Sequence, residues 1–148
     1  KKIEDEPNFQ LVIANSNMEH STESMVSGVK TFVIKNKEEF SKLLNQESKL
    51  VEEVLKLLKE NNSEELGQKI NQNQEYLEAI GISNNQLKKM VAIGQKTSFG
   101  AKITGSGGGG CIFALTNKSN VEQTLKEFKD KNFECFSAEI DFKGLDTF

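Results

Sequence analysis

The sequence predicts one α+β domain, in which helices pack on one face of an antiparallel sheet of about four strands. Its 148 residues are the length of a single domain, and 36% hydrophobic residues are enough to form a core. Strand-like segments stand at the start and in the last third of the chain, with helical periodicity between them. Because the strands are grouped and do not alternate one by one with helices, this order favours α+β over a parallel α/β sheet.

One strand and four helices are predicted before residue 100. Residues 9–14 form a short apolar run rich in β-branched side chains, which is typical of a buried strand. Apolar residues at intervals of three and four then predict helices, the longest over residues 37–60. The third helix ends at Gly81, and Gly94 is a weak point in the fourth. The four predicted helices begin at Ser21–Thr22, Lys37, Ser63 and Ser83.

After the fourth helix the periodicity changes to that of strands. Residues 100–104 and 111–116 predict two strands, joined by a tight loop over residues 105–110. Apolar positions within residues 121–128 indicate a last helix, and residues 133–142 alternate like a closing strand. No internal linker or repeat divides the chain, so these elements belong to one domain.

Composition argues against nucleic-acid, membrane and zinc-binding functions. All 19 basic residues are lysines and the net charge is −3, whereas nucleic-acid readout favours arginine and a basic surface. No apolar run approaches the roughly 20 residues of a membrane span. Two cysteines and the single His20 cannot complete a Cys/His zinc site, and no metal site is expected. We therefore expect reduced thiols in a cytoplasmic protein, with residues 1–6 before Pro7 resembling a linker.

The glycine run between the two later strands is the strongest functional signal. Five of the six residues 105–110 are glycine, at a conformational-entropy cost of roughly 0.5–1 kcal/mol each in regular structure. Such a run suits backbone with positive φ whose free N–H groups can bind an anion, whereas a hairpin turn needs only one or two glycines. It is not a Walker A loop, since no Lys-Ser/Thr follows. It is not a dinucleotide fingerprint either, since a strand follows it.

Three segments, in the same order along the chain, resemble the conserved motifs of the GHMP kinases. Residues 100–115 resemble the third motif of that family, and four consecutive glycines before Cys111 are typical of the members that phosphorylate mevalonate. Residues 71–83 are similar to the family's Asn-Gln…Leu…Leu-Gly-Val-Ser segment. Residues 11–22 are similar to its strand and His-Ser-Thr helix start.

The resemblance implies a ferredoxin-like GHMP kinase C-terminal domain over residues 1–148, whose N-terminal ATP-loop domain is absent from this chain. The family's Pro-x-x-x-Gly-Leu-Gly-Ser-Ser-Ala loop, its catalytic Asp and its Mg²⁺-holding Ser and Glu have no counterpart here. The implied partner is that N-terminal domain, in the same parent chain or in a separate polypeptide. The complete enzyme would use ATP and Mg²⁺ on a small-molecule substrate, and the isolated chain would be inactive, with no catalytic residue or metal ligand of its own.

The resemblance also assigns candidate site residues. Thr22, with Ser21, would lie near the substrate, although a plain N-cap is the alternative. Independently of the resemblance, Asn71 and Asn73 lie mid-helix, where asparagine is a poor helix former, so they could contact the loop over residues 105–110; a genome rich in asparagine and lysine codons explains them as well. Lys102 alternates with its strand neighbours and could point toward phosphate in support of the loop, although a solvated sheet face is the favoured interpretation. Cys111 is expected to be a packing residue. The residues implied to support the nucleotide phosphates are Gly105, Ser106, Gly107, Gly108, Gly109 and Gly110.

Two other functions stay open at this point. A GHMP kinase acting on phosphomevalonate, a sugar or an amino alcohol would carry the same motifs, because specificity in this family comes largely from the other domain. A stand-alone α+β module that binds a small ligand or a protein would lack the kinase half altogether. The helix predicted over residues 37–60 could in addition form a homodimer interface.

Overall fold

A four-stranded antiparallel sheet is the centre of the fold. The computed structural model describes residues 9–19 and 21–141. The strands lie in the order β2-β3-β1-β4, and each pair is antiparallel. This is the split-βαβ or ferredoxin-like arrangement, so the predicted fold class is confirmed. The elements are β1 (Gln10–Asn15), α1 (Thr22–Lys35), α2 (Lys37–Lys59), α3 (Ser63–Ala79), α4 (Asn85–Thr97), β2 (Gly100–Ile103), β3 (Cys111–Thr116), α5 (Val121–Asp130) and β4 (Glu134–Ala138).

The main core lies between one face of the sheet and helices α4 and α5. Alternate strand residues point to this face, since successive side chains of a strand lie on opposite sides. The prediction that helices pack on one face of the sheet holds for α4 and α5. The core includes Val12, Ala14, Ala101, Ile103, Ile112 and Ala114 from the strands, Leu87, Met90 and Val91 from α4, and Val121, Leu125 and Phe128 from α5.

Helices α2 and α3 add a smaller cluster against the opposite face. Leu115 of β3 is buried there with Leu57 of α2 and Leu66 of α3, and Leu11 of β1 packs beside them. Leu115 follows Ala114 in β3, so the alternation of the strand places it on the face opposite the main core. The sheet is therefore covered from both sides at this end, so the prediction that the helices pack on one face is wrong for α2 and α3, because Leu11 and Leu115 give the second face apolar residues to cover.

Helix α3 also covers the edge of the sheet. Strand β2 is one of the two edge strands, and it approaches α3 so closely that a Cβ on Gly100 would overlap the backbone of Gly67. The outward N–H of Ala101 donates to Asn71 Oδ1 at 2.9 Å, and that of Ile103 donates to Gln74 Oε1 at 3.0 Å. Side-chain amides of α3 thus satisfy backbone donors that an exposed edge would leave unpaired.

A few predicted boundaries differ from the structure. Helix α4 begins at Asn85 with Asn84 as its cap, two residues later than the predicted start at Ser83. Helix α4 continues through Gly94 without a break, and the missing side chain lets α4 approach the sheet: a Cβ there would lie 2.8 Å from Ala101 Cβ. Strand β4 ends at Ala138. The predicted linker before Pro7, His20 and the end of the closing strand at Phe142 lie outside the described residues.

No helix in the described ranges is both long enough and apolar enough to cross a membrane.

Candidate functional site

The loop between β2 and β3, residues 105–110, has the backbone of an anion-binding nest; we call it the glycine loop. Its φ angles are +66° at Gly105, +77° at Gly107, +77° at Gly108 and +72° at Gly110. Residues with a Cβ disfavour these positive φ values, whereas glycine adopts them readily. Of its six backbone N–H groups, only that of Gly108 donates to an acceptor within residues 9–19 and 21–141, namely Ile82 O at 2.8 Å. The other five N–H groups have no protein acceptor there. They are the kind of donors that hold phosphate oxygens in a nest.

The N-terminus of α1 lies beside the glycine loop. Ser21 caps the helix by accepting a hydrogen bond from Ser24 N at 3.2 Å. The hydroxyl of Thr22 lies 3.3 Å from that of Ser106, and Met25 packs against Gly108, where a Cβ would be 2.6 Å from its sulfur. The structure therefore brings Thr22 to the loop, whereas the described bond of the Ser21 hydroxyl is that of an N-cap. A helix N-terminus adds partial positive charge at this point, which favours an anion.

The connection between α3 and α4 supports the loop from another side. Gly81, at φ +82°, turns the chain after α3, and Ile82 O then accepts from Gly108 N. Asn84 donates from Nδ2 to Gly108 O at 2.8 Å. Sequence reasoning missed Ile82 and Asn84. An asparagine before a helix indicates an N-cap, but nothing in the sequence pattern indicates a second bond to a loop 24 residues away.

Asn73 makes no contact with the glycine loop. It donates instead to Glu47 Oε2 at 2.6 Å, which ties α3 to α2. The hypothesis that the mid-helix asparagines contact the loop is therefore wrong for this structure, because the polar side of α3 faces β2 and α2. The contact with the sheet is made by Asn71 and Gln74.

Lys102 is half-buried, so its interpretation as part of a solvated face is wrong. Its Nζ donates to Ile103 O at 3.0 Å and lies 5.6 Å from the centre of the Phe113 ring, a cation–π geometry. Burial lowers the pKa of Lys102, and the charge of Glu47 opposes that effect. No bond from Lys102 to the glycine loop is present in the part of the chain that the structure describes.

The remaining chemistry-bearing side chains are dispersed. Cys111 and Cys135 are both free and half-buried, and burial raises the pKa of the Cys135 thiol while Lys129 lowers it by a smaller amount. Cys111 starts β3 directly after the glycine loop. Across residues 9–19 and 21–141, no three His, Cys, Asp or Glu side chains come together as a metal-binding group.

Comparison with known proteins identifies the family. Residues 54–135 match the family model described as GHMP kinases C terminal. The chain is 30% identical to a mevalonate kinase of Candida albicans, over 94% of this chain and 35% of that protein. It is 36% identical over 76 residues to a mevalonate kinase of Methanocaldococcus jannaschii, covering 51% of this chain and 24% of that one.

Solved structures agree with this match. A mevalonate kinase of L. major in complex with R-mevalonate superposes with a TM-score of 0.86 at 23% identity, covering 94% of this chain and 45% of that one. A Methanococcus jannaschii mevalonate kinase superposes with a TM-score of 0.79 at 28% identity, covering 95% of this chain and 44% of that one. The chain thus spans about a third of the Candida relative and less than half of either solved chain. Since the family model covers more than half of its residues, the chain belongs to the GHMP kinase family and corresponds to the C-terminal domain of such a kinase.

Proposed function

We propose that the protein carrying this chain is a mevalonate kinase, which transfers the γ-phosphate of ATP to the primary hydroxyl of mevalonate in isoprenoid precursor synthesis. The observation that carries the proposal is the glycine loop, which lies beside the N-terminus of α1 and has five N–H groups without an acceptor among the residues that the structure describes. The choice of acceptor is supported by the relatives named above, which bear that name in a fungus and an archaeon.

In this proposal the chain contributes binding and positioning. The N–H groups of Gly105, Ser106, Gly107, Gly109 and Gly110 donate to phosphate oxygens, while Gly108 anchors the loop. The Thr22 hydroxyl, which lies next to Ser106, orders the end of the substrate at which transfer occurs. Phosphoryl transfer depends on such positioning and on neutralising charge.

The other half of the site is proposed to come from an N-terminal domain, in the same polypeptide or a separate one. Mg²⁺ would neutralise the phosphates when bound, and its ligands and the catalytic Asp would belong to that domain, as the resemblance to the family implies. The isolated chain would then bind ATP weakly and turn nothing over.

A homodimer is proposed through α2. Leu44, Val51 and Leu55 are all about half exposed on this helix, and their spacing of seven and four residues follows a coiled-coil seam. Val51→Lys would place a charge in the seam and is expected to convert a dimer to a monomer by analytical ultracentrifugation. Lys49→Glu, on the same helix but outside the seam, is the control. A protein that is monomeric before substitution would refute this part of the proposal.

The function is tested on the whole protein by measuring ADP release with MgATP and each of three acceptors: mevalonate, phosphomevalonate and galactose. Turnover with mevalonate alone is expected. Turnover with one of the other two would identify a different GHMP kinase. Calorimetry of this chain with MgATP is the companion measurement, and tight binding without turnover by the whole protein would indicate a stand-alone binding module.

A further inference from the structure

We propose that Asn84 is a positioning residue for the glycine loop, which it holds to the first turn of α4. The oxygen and the nitrogen of its side-chain amide bond to different elements. Oδ1 accepts from Leu87 N at 2.9 Å and caps α4, while Nδ2 donates to Gly108 O at 2.8 Å and also lies 3.8 Å from Met18 Sδ. Ser or Asp would cap a helix as well as Asn does, but neither carries an amide donor that reaches the loop in this way.

The bond matters because it completes the anchoring of one residue. The N–H of Gly108 is already held by Ile82 O at 2.8 Å, so both backbone polar groups of this glycine are bonded to the short connection between α3 and α4. Met25 packs against Gly108 from α1. The middle of the loop is therefore fixed, whereas the N–H groups on either side have no acceptor within the described ranges.

Fixing the middle of a glycine-rich loop reduces the entropy that a ligand must remove when it binds. A loop with five glycines in six residues is otherwise among the most costly segments to order. Asn84 lowers this cost in advance, because it holds the peptide at Gly108 before any phosphate arrives. The consequence for ATP rests on the proposed function, but the restraint on the loop does not.

Asn84→Ser separates the two bonds, because serine keeps the cap on α4 and loses the amide donor. The matched control is Asn62→Ser, since Asn62 caps α3 through Glu65 N at 3.2 Å and makes no described bond to the glycine loop. The first readout is the hydrogen exchange of the Gly108 amide, measured by NMR in the whole protein. This amide is the reporter because its bond to Ile82 must break before it can exchange.

We expect Gly108 to exchange roughly threefold to tenfold faster in Asn84→Ser, as the loss of one neutral hydrogen bond predicts. Asn62→Ser should leave it unchanged. The second readout is steady-state kinetics, where KM for ATP should rise by a similar factor while KM for the acceptor stays constant.

Unchanged Gly108 exchange in Asn84→Ser would overturn the positioning role. Faster exchange of the Gly108 amide with an unchanged KM for ATP would overturn the claim that fixing the loop lowers the cost of binding ATP. If the whole protein does not phosphorylate mevalonate, the proposed function fails on its own, because the exchange measurement needs no activity and still decides the role of Asn84.

Discussion

Replacing Gln74 with leucine tests whether helix α3 stabilises the sheet through hydrogen bonds to its edge. Gln74 is only 2% exposed, and its Oε1 accepts from Ile103 N at 3.0 Å. Its Nε2 donates to Glu78 and lies within 3.4 Å of Ser83 Oγ. Leucine fills a similar volume but accepts no bond, and α3 still covers the edge of β2. The N–H of Ile103 would therefore be buried without a partner.

The cost follows from that unpaired donor. A buried backbone group left without its bond costs about 1–3 kcal/mol, and leucine recovers part of this because it is apolar. We expect Gln74→Leu to lower the free energy of unfolding by about 2 kcal/mol. For a chain of this length, that corresponds to a fall of about 4–8 °C in Tm.

Urea unfolding followed by circular dichroism measures the effect on this chain. Gln68→Leu is the matched control, because Gln68 is exposed on the same helix and the change should stay within about 0.5 kcal/mol. If Gln74→Leu and Gln68→Leu have equal stability, the bond to Ile103 contributes nothing and the reasoning about the sheet edge is refuted.

Three further predictions concern the glycine loop, the start of α1 and the half-buried Lys102. Gly108→Ala, at φ +77° and crowded by a neighbouring side chain, should cost about 2 kcal/mol or more by urea unfolding, whereas Gly105→Ala, at φ +66° in open space, should cost about 1 kcal/mol. Thr22→Val should raise KM for ATP or lower kcat in the whole protein without changing Tm, while Thr31→Val, further along α1, should change neither. Burial lowers the pKa of Lys102, so the unfolded chain binds its proton more tightly and stability recovers as pH rises from the folded-state pKa towards 10.5. The free energy of unfolding of the wild type, relative to Lys102→Met, should therefore increase between about pH 7 and about pH 10.

Each of these has a contrary result. Equal costs for the two alanine variants would mean that packing at Gly108 is unimportant. If Thr22→Val has the same KM for ATP and the same kcat as Thr31→Val, the Thr22 hydroxyl has no role in substrate binding or transfer and Thr22 serves only in the first turn of α1. A stability difference between the wild type and Lys102→Met that does not change with pH would mean that burial leaves the lysine unperturbed.

Most elements could be predicted because they depend on local patterns. Apolar residues at intervals of three and four predicted α2 to within one residue at its end, and a run of β-branched and apolar residues predicted the bounds of β3. The prediction of a weak point in α4 at Gly94 failed for a physical reason. The effect of this glycine depends on Ala101, which approaches from the sheet and leaves no room for a side chain. A helix propensity cannot include that neighbour.

Local patterns were enough to predict the order of strands and helices, the family motifs and the glycine loop, because periodicity and glycine content act over a few neighbouring residues. The partners of the polar side chains depend instead on how the helices pack on the sheet. This packing directs Asn71 and Gln74 to the edge of β2, Asn73 to α2 and Asn84 to the glycine loop. These amides look alike in the sequence, and each bond joins residues more than 20 positions apart. Such pairs meet only after the helices have packed on the sheet, so their geometry is set by packing and not by local pattern.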